Sequence, residues 1–283
     1  MRTSRIATAR NVTVAIVAVL AIAASVIFYS AGDGATPSVT GKDRLTVGVS
    51  ADLPGLGARK ADGTFEGFDI DVATYIAGKL GVGKDSLWFR TASPGGWEKA
   101  LREGAVDMVV AAYPITPERT GKVTFGGPYY VAHQDIVVRE RDETVKSVRD
   151  LRGKRLCQVA GSDSWRRVTQ ERKVAATLVP ARSYAECLQE LAKNRVDAVS
   201  ADDLALAGLL GASDSGARLV NAPFSNERYG VGLRKGDLEG CQAVNRIITE
   251  MYQNGAAETL LGERFGAVDI ELATAVPQFE GCA

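Results

Sequence analysis

Twice in this chain a short apolar run carries a single aspartate at its second position, as Val106-Asp-Met-Val-Val-Ala-Ala112 and again as Val196-Asp-Ala-Val-Ser200. Nearly continuous apolar character implies burial on both faces, the mark of an interior strand in a mostly parallel sheet covered by helices. The elements leading to each run also repeat. A strand over Arg44 to Ser50 is followed by a Gly-rich turn from Pro54 to Gly67. Asp69 is then placed to cap a helix whose Ile70, Ala73, Ile76, Ala77 and Leu80 recur at spacings of three and four before Gly81. A strand over Leu87 to Arg90 and a short helix over Trp97 to Glu103 complete the first approach. After an extended stretch from Tyr129 to Arg141 and a capping box at Ser147-x-x-Asp150, a second cycle begins. It has a strand at Lys154 to Ala160, a turn at Gly161 to Ser164, and helices at Trp165 to Arg172 and Tyr184 to Lys193. Two similar α/β lobes are expected. The chain returns through Tyr229 to Leu233 and ends in a helix over Gly240 to Asn254 and a shorter one ending near Phe265. If these close lobe one, two strands cross between lobes, at about Tyr130 to Val138 and Asn226 to Leu233, and two crossings make a hinge.

Several classes of function are excluded or weakened. Lys and Arg number 34 against 34 Asp and Glu, so no basic surplus exists for a nucleic-acid partner. The chain of 283 residues allows one or two domains. It has one histidine, neither G-x-S-x-G nor G-x-G-x-x-G, and no phosphate-loop spacing, so no catalytic constellation and no cofactor is implied. His133 lies in the expected hinge strand and reads as structural. Arg2, Arg5 and Arg10 precede the uncharged stretch Asn11 to Gly32. This is either an uncleaved signal anchor or a signal peptide cut near Ser30-Ala31-Gly32, and both place the remainder outside the cytoplasm. Cys157, Cys187, Cys241 and Cys282 fit an oxidising compartment. Four cysteines allow three pairings, and the nearest pairs, Cys157 with Cys187 and Cys241 with Cys282, close the shorter loops. With no C-x-x-C and no nearby histidine, no metal site is expected. The expected organisation is an n-region over 1–10, the apolar segment over 11–32 and a linker over 33–42. Lobe one covers 43–130 and 230–270, lobe two with its hinge strands covers 131–229, and a tail covers 271–283.

Polar residues concentrate where strands end, at Asp52 to Lys60, Tyr113 to Arg119, Gly161 to Ser164 and Asp202-Asp203. Ligands of open α/β sheets collect there. Seven fragments in order carry a family resemblance: Gly67-Phe-Asp-Ile-Asp71, Val106-Asp-Met-Val-Val110, Ile115-Thr-Pro-Glu-Arg119, Phe125-Gly-Gly-Pro-Tyr129, Asp150-Leu-Arg-Gly-Lys154, Val196-Asp-Ala-Val199 and Tyr229-Gly-Val-Gly232. Together they resemble the type II solute-binding proteins of polar amino-acid ABC importers. The contexts of Cys157 and Cys187, and Phe125 to Gln134, look most like glutamate-binding proteins of actinobacterial importers.

The resemblance implies a two-lobed periplasmic-binding-protein type II fold, a clam closing on a free polar amino acid of the glutamate, glutamine or aspartate type. It also implies delivery to ABC permease subunits at the membrane. Arg119 matches the arginine that grips the ligand α-carboxylate, for which a planar guanidinium is well shaped; the bland alternative is a surface pair with Glu118. Asp202 matches the carboxylate that holds the α-ammonium and also stands where it can cap the helix Leu204 to Leu210. Ser162 and Asp163 match a turn whose backbone N–H groups face the carboxylate. The chain departs from the family pattern at Pro114, where many relatives carry Ser or Thr, which leaves polar contacts to Ala112 and Thr116. It departs again at Trp97, where glutamate-type relatives carry arginine; Trp97 either stacks on the ligand or packs in the wall. Asp52, Arg59 and Lys60 either read the ligand side chain or form a solvated loop. Tyr113 and Tyr130 either wall the cleft or pack in the core. A ligand-sensing ectodomain reporting to a membrane or kinase partner is the alternative to an importer subunit, and a dehydratase on this scaffold lacks a visible acid and base.

Overall fold

The computed structural model describes residues 37–91, 94–212 and 215–282. The n-region, the apolar segment 11–32 and most of the linker lie outside the described residues. Among those described, no helix is long and apolar enough to cross a membrane.

The chain from Ser38 onward forms one unit. β1 (Leu45–Val49) enters the interior of a five-stranded sheet and is followed by three short strands, β2 (Asp52–Leu53), β3 (Gly57–Arg59) and β4 (Phe65–Glu66). The expected Gly-rich turn is therefore a small antiparallel meander. Gly67 has φ 126°, and a Cβ there would stand 2.3 Å from the Leu56 carbonyl oxygen, so only glycine lets the chain turn so closely. Because Gly67 occupies the N-cap position, α1 (Phe68–Lys79) begins two residues earlier than a cap at Asp69 would set it. Asp69 is consequently a buried residue of the first turn rather than the cap.

β5 (Leu87–Thr91), α2 (Trp97–Arg102), β6 (Met108–Val109) and α3 (Pro117–Thr120) follow, then β7 (Thr124–Ala132) and β8 (Gln134–Arg139). The run Val106 to Ala112 is buried as expected, but only its centre pairs as a strand. Lobe two contains β9 (Arg155–Val159), α4 (Ser164–Arg166), β10 (Thr177–Ala181), α5 (Tyr184–Ala192), β11 (Val199–Asp202), α6 (Asp203–Gly211) and β12 (Ala217–Leu219). Past Arg166 the chain widens into a π turn over Arg167–Glu171, so the helix expected from Trp165 to Arg172 is present as a short α turn continued by a π turn. β13 (Glu227–Leu233), α7 (Leu238–Gln253) and α8 (Ala256–Phe265) bring the chain back to lobe one.

The lobe-one sheet has the order β5-β1-β6-β13-β7, with β13 antiparallel to both neighbours. In lobe two, β8 lies between β11 and β12, and β9 pairs with β10. The repeated aspartates have one physical cause. Asp107 Oδ2 accepts from the Thr46 amide at 2.7 Å where β1 begins, and Asp197 Oδ2 accepts from the Arg155 amide at 2.9 Å where β9 begins. Each satisfies a backbone donor near the start of its neighbouring strand. α6 belongs to both lobes: Leu204, Ala205 and Ala207 join the lobe-one core, whereas Leu206 and Leu209 join the lobe-two core. A Cβ on Gly208 would stand 1.8 Å from the Pro54 carbonyl oxygen, which shows how closely α6 meets the meander.

Both disulfides are the nearest-neighbour pairs. Cys157–Cys187 ties β9 to α5, and Cys241–Cys282 ties the tail to α7. The tail is further held by Ile270, Leu272 and Phe279 against the lobe-one core and by the Ala273 amide, which donates to Tyr130 Oη at 3.3 Å.

Candidate ligand site

Arg119 stands in one helical turn. Thr116 is the N-cap, its Oγ1 accepting from the Arg119 amide at 3.3 Å, and Pro117 fills the first position, where its missing N–H costs nothing. The guanidinium lies over the Tyr113 ring at 5.2 Å and donates from Nη1 to the Pro114 carbonyl at 3.2 Å. Its Nε faces Glu98 Oε1 at 3.7 Å. Glu118 is not its partner, because Lys122 takes that carboxylate at 2.6 Å. Beneath Arg119, Tyr113 packs between Trp97 at 4.7 Å and Phe125 at 4.9 Å. Trp97 is 4% exposed and Tyr113 fully buried, so of the alternatives weighed for both, packing holds in this structure. Tyr130 is a core residue as well. The Tyr113 hydroxyl is buried beside the Glu98 carboxylate, and burial first, then that carboxylate, pushes its ionisation well above that of an exposed phenol.

Ala112 has φ 46°, a costly conformation for a residue with a Cβ. Its amide donates to Tyr129 Oη at 3.0 Å, and that hydroxyl donates to Asp69 Oδ1 at 2.6 Å. Burial raises the Asp69 carboxyl to about 7. The Ala112 amide is thus engaged by the protein itself.

Asp202 occupies the N-cap position of α6 but makes no side-chain cap. Its Oδ2 accepts from Tyr229 Oη at 2.5 Å and its Oδ1 from Gln134 Nε2. Burial, reinforced by the nearby Glu227 and Asp203 carboxylates, raises its carboxyl to about 7. Glu227 is held by Arg167 Nη2 at 2.5 Å, and Asp203 accepts from the Leu204 amide and faces His133 Nδ1 at 3.2 Å. His133 thus serves the hinge.

Tyr229 joins the two halves. Its main chain pairs with Pro114, the residue whose carbonyl holds Arg119, while its hydroxyl reaches Asp202. On the lobe-two side, Tyr184 Oη lies 2.8 Å from Ser162 Oγ and 2.9 Å from Ser164 Oγ. Burial, with Asp202 and Asp163 contributing, moves that phenol up to about 12. Asp163 turns its side chain to Arg166 at 2.7 Å. Asp52 is exposed in the meander, and Arg59 lies over the Phe65 ring at 5.8 Å; neither touches Arg119 or Asp202.

Glu98, Gln134, Arg167, Glu227 and Tyr229 were not anticipated as site residues. Tyr229 stood in a quoted motif and Gln134 at the end of the stretch Phe125 to Gln134; the others gather through contacts distant in sequence. A cavity of about 520 Å3 on the hinge is lined by His133, Asp135, Asp203 and tail residues Asp269 to Ala273, and contains none of the anticipated ligand residues.

Residues 45–267 match the family model of bacterial extracellular solute-binding proteins, family 3. The chain belongs to this family. It is 33% identical over 247 residues to the glutamate-binding protein GluB of Corynebacterium efficiens, covering 83% of each chain. It is 28% identical to the ABC transporter glutamine-binding protein GlnH of Bacillus subtilis, over 77% of this chain and 80% of that one. Among solved structures, an ancestral arginine-binding protein bound to arginine matches with a TM-score of 0.68 at 35% identity, covering 80% of this family member and 99% of that chain. The two-lobed architecture is therefore the periplasmic-binding-protein fold.

Proposed function

We propose that this protein is the extracytoplasmic receptor of an ABC importer, capturing a polar amino acid of the glutamate, glutamine or aspartate type and presenting it to the permease. The carrying observation is the connection Arg119–Pro114–Tyr229–Asp202, which ties a cation and an anion of opposite lobes to one hinge strand. A zwitterion loses much hydration on entering a closing cleft, so each end needs a counter-charge. Arg119 meets the α-carboxylate. Asp202, pushed up by burial and by Glu227, loses its proton to accept the α-ammonium. Ser162, Asp163, Thr116 and the carbonyl, not the engaged amide, of Ala112 supply the remaining polar contacts, and the packed pair Trp97 and Tyr113 fixes the floor under Arg119. Asp52 and Arg59 reach the ligand side chain only on closure. The protein binds and releases without catalysis. Residues 11–32 hold it at the outer face of the membrane or are removed on secretion.

The test is a thermal-shift panel of amino acids on residues 38–283. A ligand at 100 times its Kd adds about 2.7 kcal/mol. A panel that moves no melting temperature sinks the proposal.

A further inference from the structure

We propose that Glu98 sets the charge selectivity of this site. It faces Arg119, gives way to the ligand α-carboxylate, and disfavours amino acids that bring a second carboxylate. The inference rests on the functional reading above, in which Arg119 receives the ligand, and narrows its glutamate, glutamine or aspartate type toward glutamine.

The geometry begins with α2. Trp97 and Leu101, four positions apart, are both buried and pin one face of this short helix. Glu98, the next residue round, is thereby turned toward Arg119, with Oε1 3.7 Å from Nε. The two side chains are only 17% and 20% exposed, so their mutual field is incompletely screened. At 3.7 Å the pair makes no hydrogen bond, so the carboxylate is near enough to be felt and loose enough to be displaced. Arg119 itself cannot drift, because the Tyr113 ring lies beneath it and Nη1 is held by Pro114.

The cations nearest the other anticipated ligand residues are already engaged. Arg59 lies over Phe65 and donates to the Gly63 carbonyl at 3.4 Å, and Lys60 lies 3.9 Å from Glu66. Arg167 is shared between Glu227 and Glu171. Glu98 adds negative field directly at Arg119, and Glu227 and Asp203 add it around Asp202. A zwitterion with a neutral or cationic side chain meets one repulsion from Glu98, at its α-carboxylate; an acidic amino acid meets two.

The experiment is calorimetric titration of the wild type, Glu98→Gln and Glu98→Asp with glutamine, glutamate and arginine at one pH and low salt. We expect glutamate to bind at least about tenfold more weakly than glutamine or arginine in the wild type. Glu98→Gln should tighten glutamate by roughly 3- to 10-fold more than it tightens glutamine, the size expected of a partly shielded charge pair. Glu98→Asp should keep the wild-type order. Tighter wild-type binding of glutamate, or a glutamate-to-glutamine ratio that Glu98→Gln leaves unchanged, overturns the inference while amino-acid binding itself stands. Equal weakening of every ligand in Glu98→Gln also overturns it, since that marks a residue that merely positions Arg119. If no amino acid binds the wild type, the functional reading fails and the inference with it.

Discussion

The two lobes begin alike and end differently. Each uses the aspartate of its Val-Asp run to secure the start of its first strand, Asp107 at β1 and Asp197 at β9. At the ligand end the likeness stops. Lobe one presents Arg119 on a dry platform of Tyr113, Trp97 and Phe125, held by packing. Lobe two and the hinge present Asp202 within a polar network of Gln134, Tyr229, Glu227, Asp203 and His133. A cation of high intrinsic pKa tolerates a rigid, half-buried seat, because it stays charged there. A carboxylate in a similar seat takes up a proton instead. In the proposed function, the ligand ammonium is what would make the anionic form of Asp202 comfortable.

The sharpest way to break this contrast is to exchange one charge at a time. Arg119→Lys and Asp202→Asn are each expected to weaken amino-acid binding by about 30-fold or more, as loss of one partner from a buried pair costs roughly 2 to 5 kcal/mol. Calorimetry on folded variants measures it, and near-wild-type affinity in either places that residue outside the site.

The disulfides test how far each lobe depends on covalent support. Paired serine replacement of Cys157 with Cys187, or of Cys241 with Cys282, should each lower the unfolding free energy by about 2 to 4 kcal/mol, read by denaturant titration. The first pair should leave the Arg119 platform untouched. An equal loss of ligand affinity from both would show that the two lobes are not supported independently.

The smallest expected effect concerns pH. Asp202 and Asp69 are both raised to about 7 in the fold, against about 4 when unfolded. The folded state therefore holds more protons between those values. The contribution of these groups to stability is full below about pH 4 and is lost as pH rises through 7. Ligand binding follows the opposite sign, because the ammonium requires ionised Asp202. Affinity should fall about tenfold from pH 8 to pH 6. Asp69→Asn should flatten the stability profile without flattening the affinity profile, since only Asp202 faces the ligand. Affinity independent of pH over this range would show that Asp202 is ionised before the ligand arrives.

Much of this arrangement was legible in the sequence where it is local. Thr116-Pro-Glu-Arg119 is a cap, a first-turn proline and the arginine proposed to meet the ligand within four residues, and the nearest cysteines do pair. What was not legible depends on distant contacts. Whether Trp97 stacks on a ligand or packs is decided by Tyr113 and Phe125 meeting it in space. Asp202 reads equally well as a cap until Gln134 and Tyr229 claim both of its oxygens. The Pro54 to Gly67 segment has the composition of a turn, and only the pairing of β2, β3 and β4 makes it a meander.

α6 contributes Leu204, Ala205 and Ala207 to one hydrophobic core and Leu206 and Leu209 to the other. A helix shared in this way makes each half a condition for the other's order. Neither lobe can melt without exposing apolar surface that the remaining one relied upon, so damage to one half is spread through the whole molecule. The hinge therefore works inside a single cooperative folding unit, and the freedom to close is bought without giving the halves separate lives.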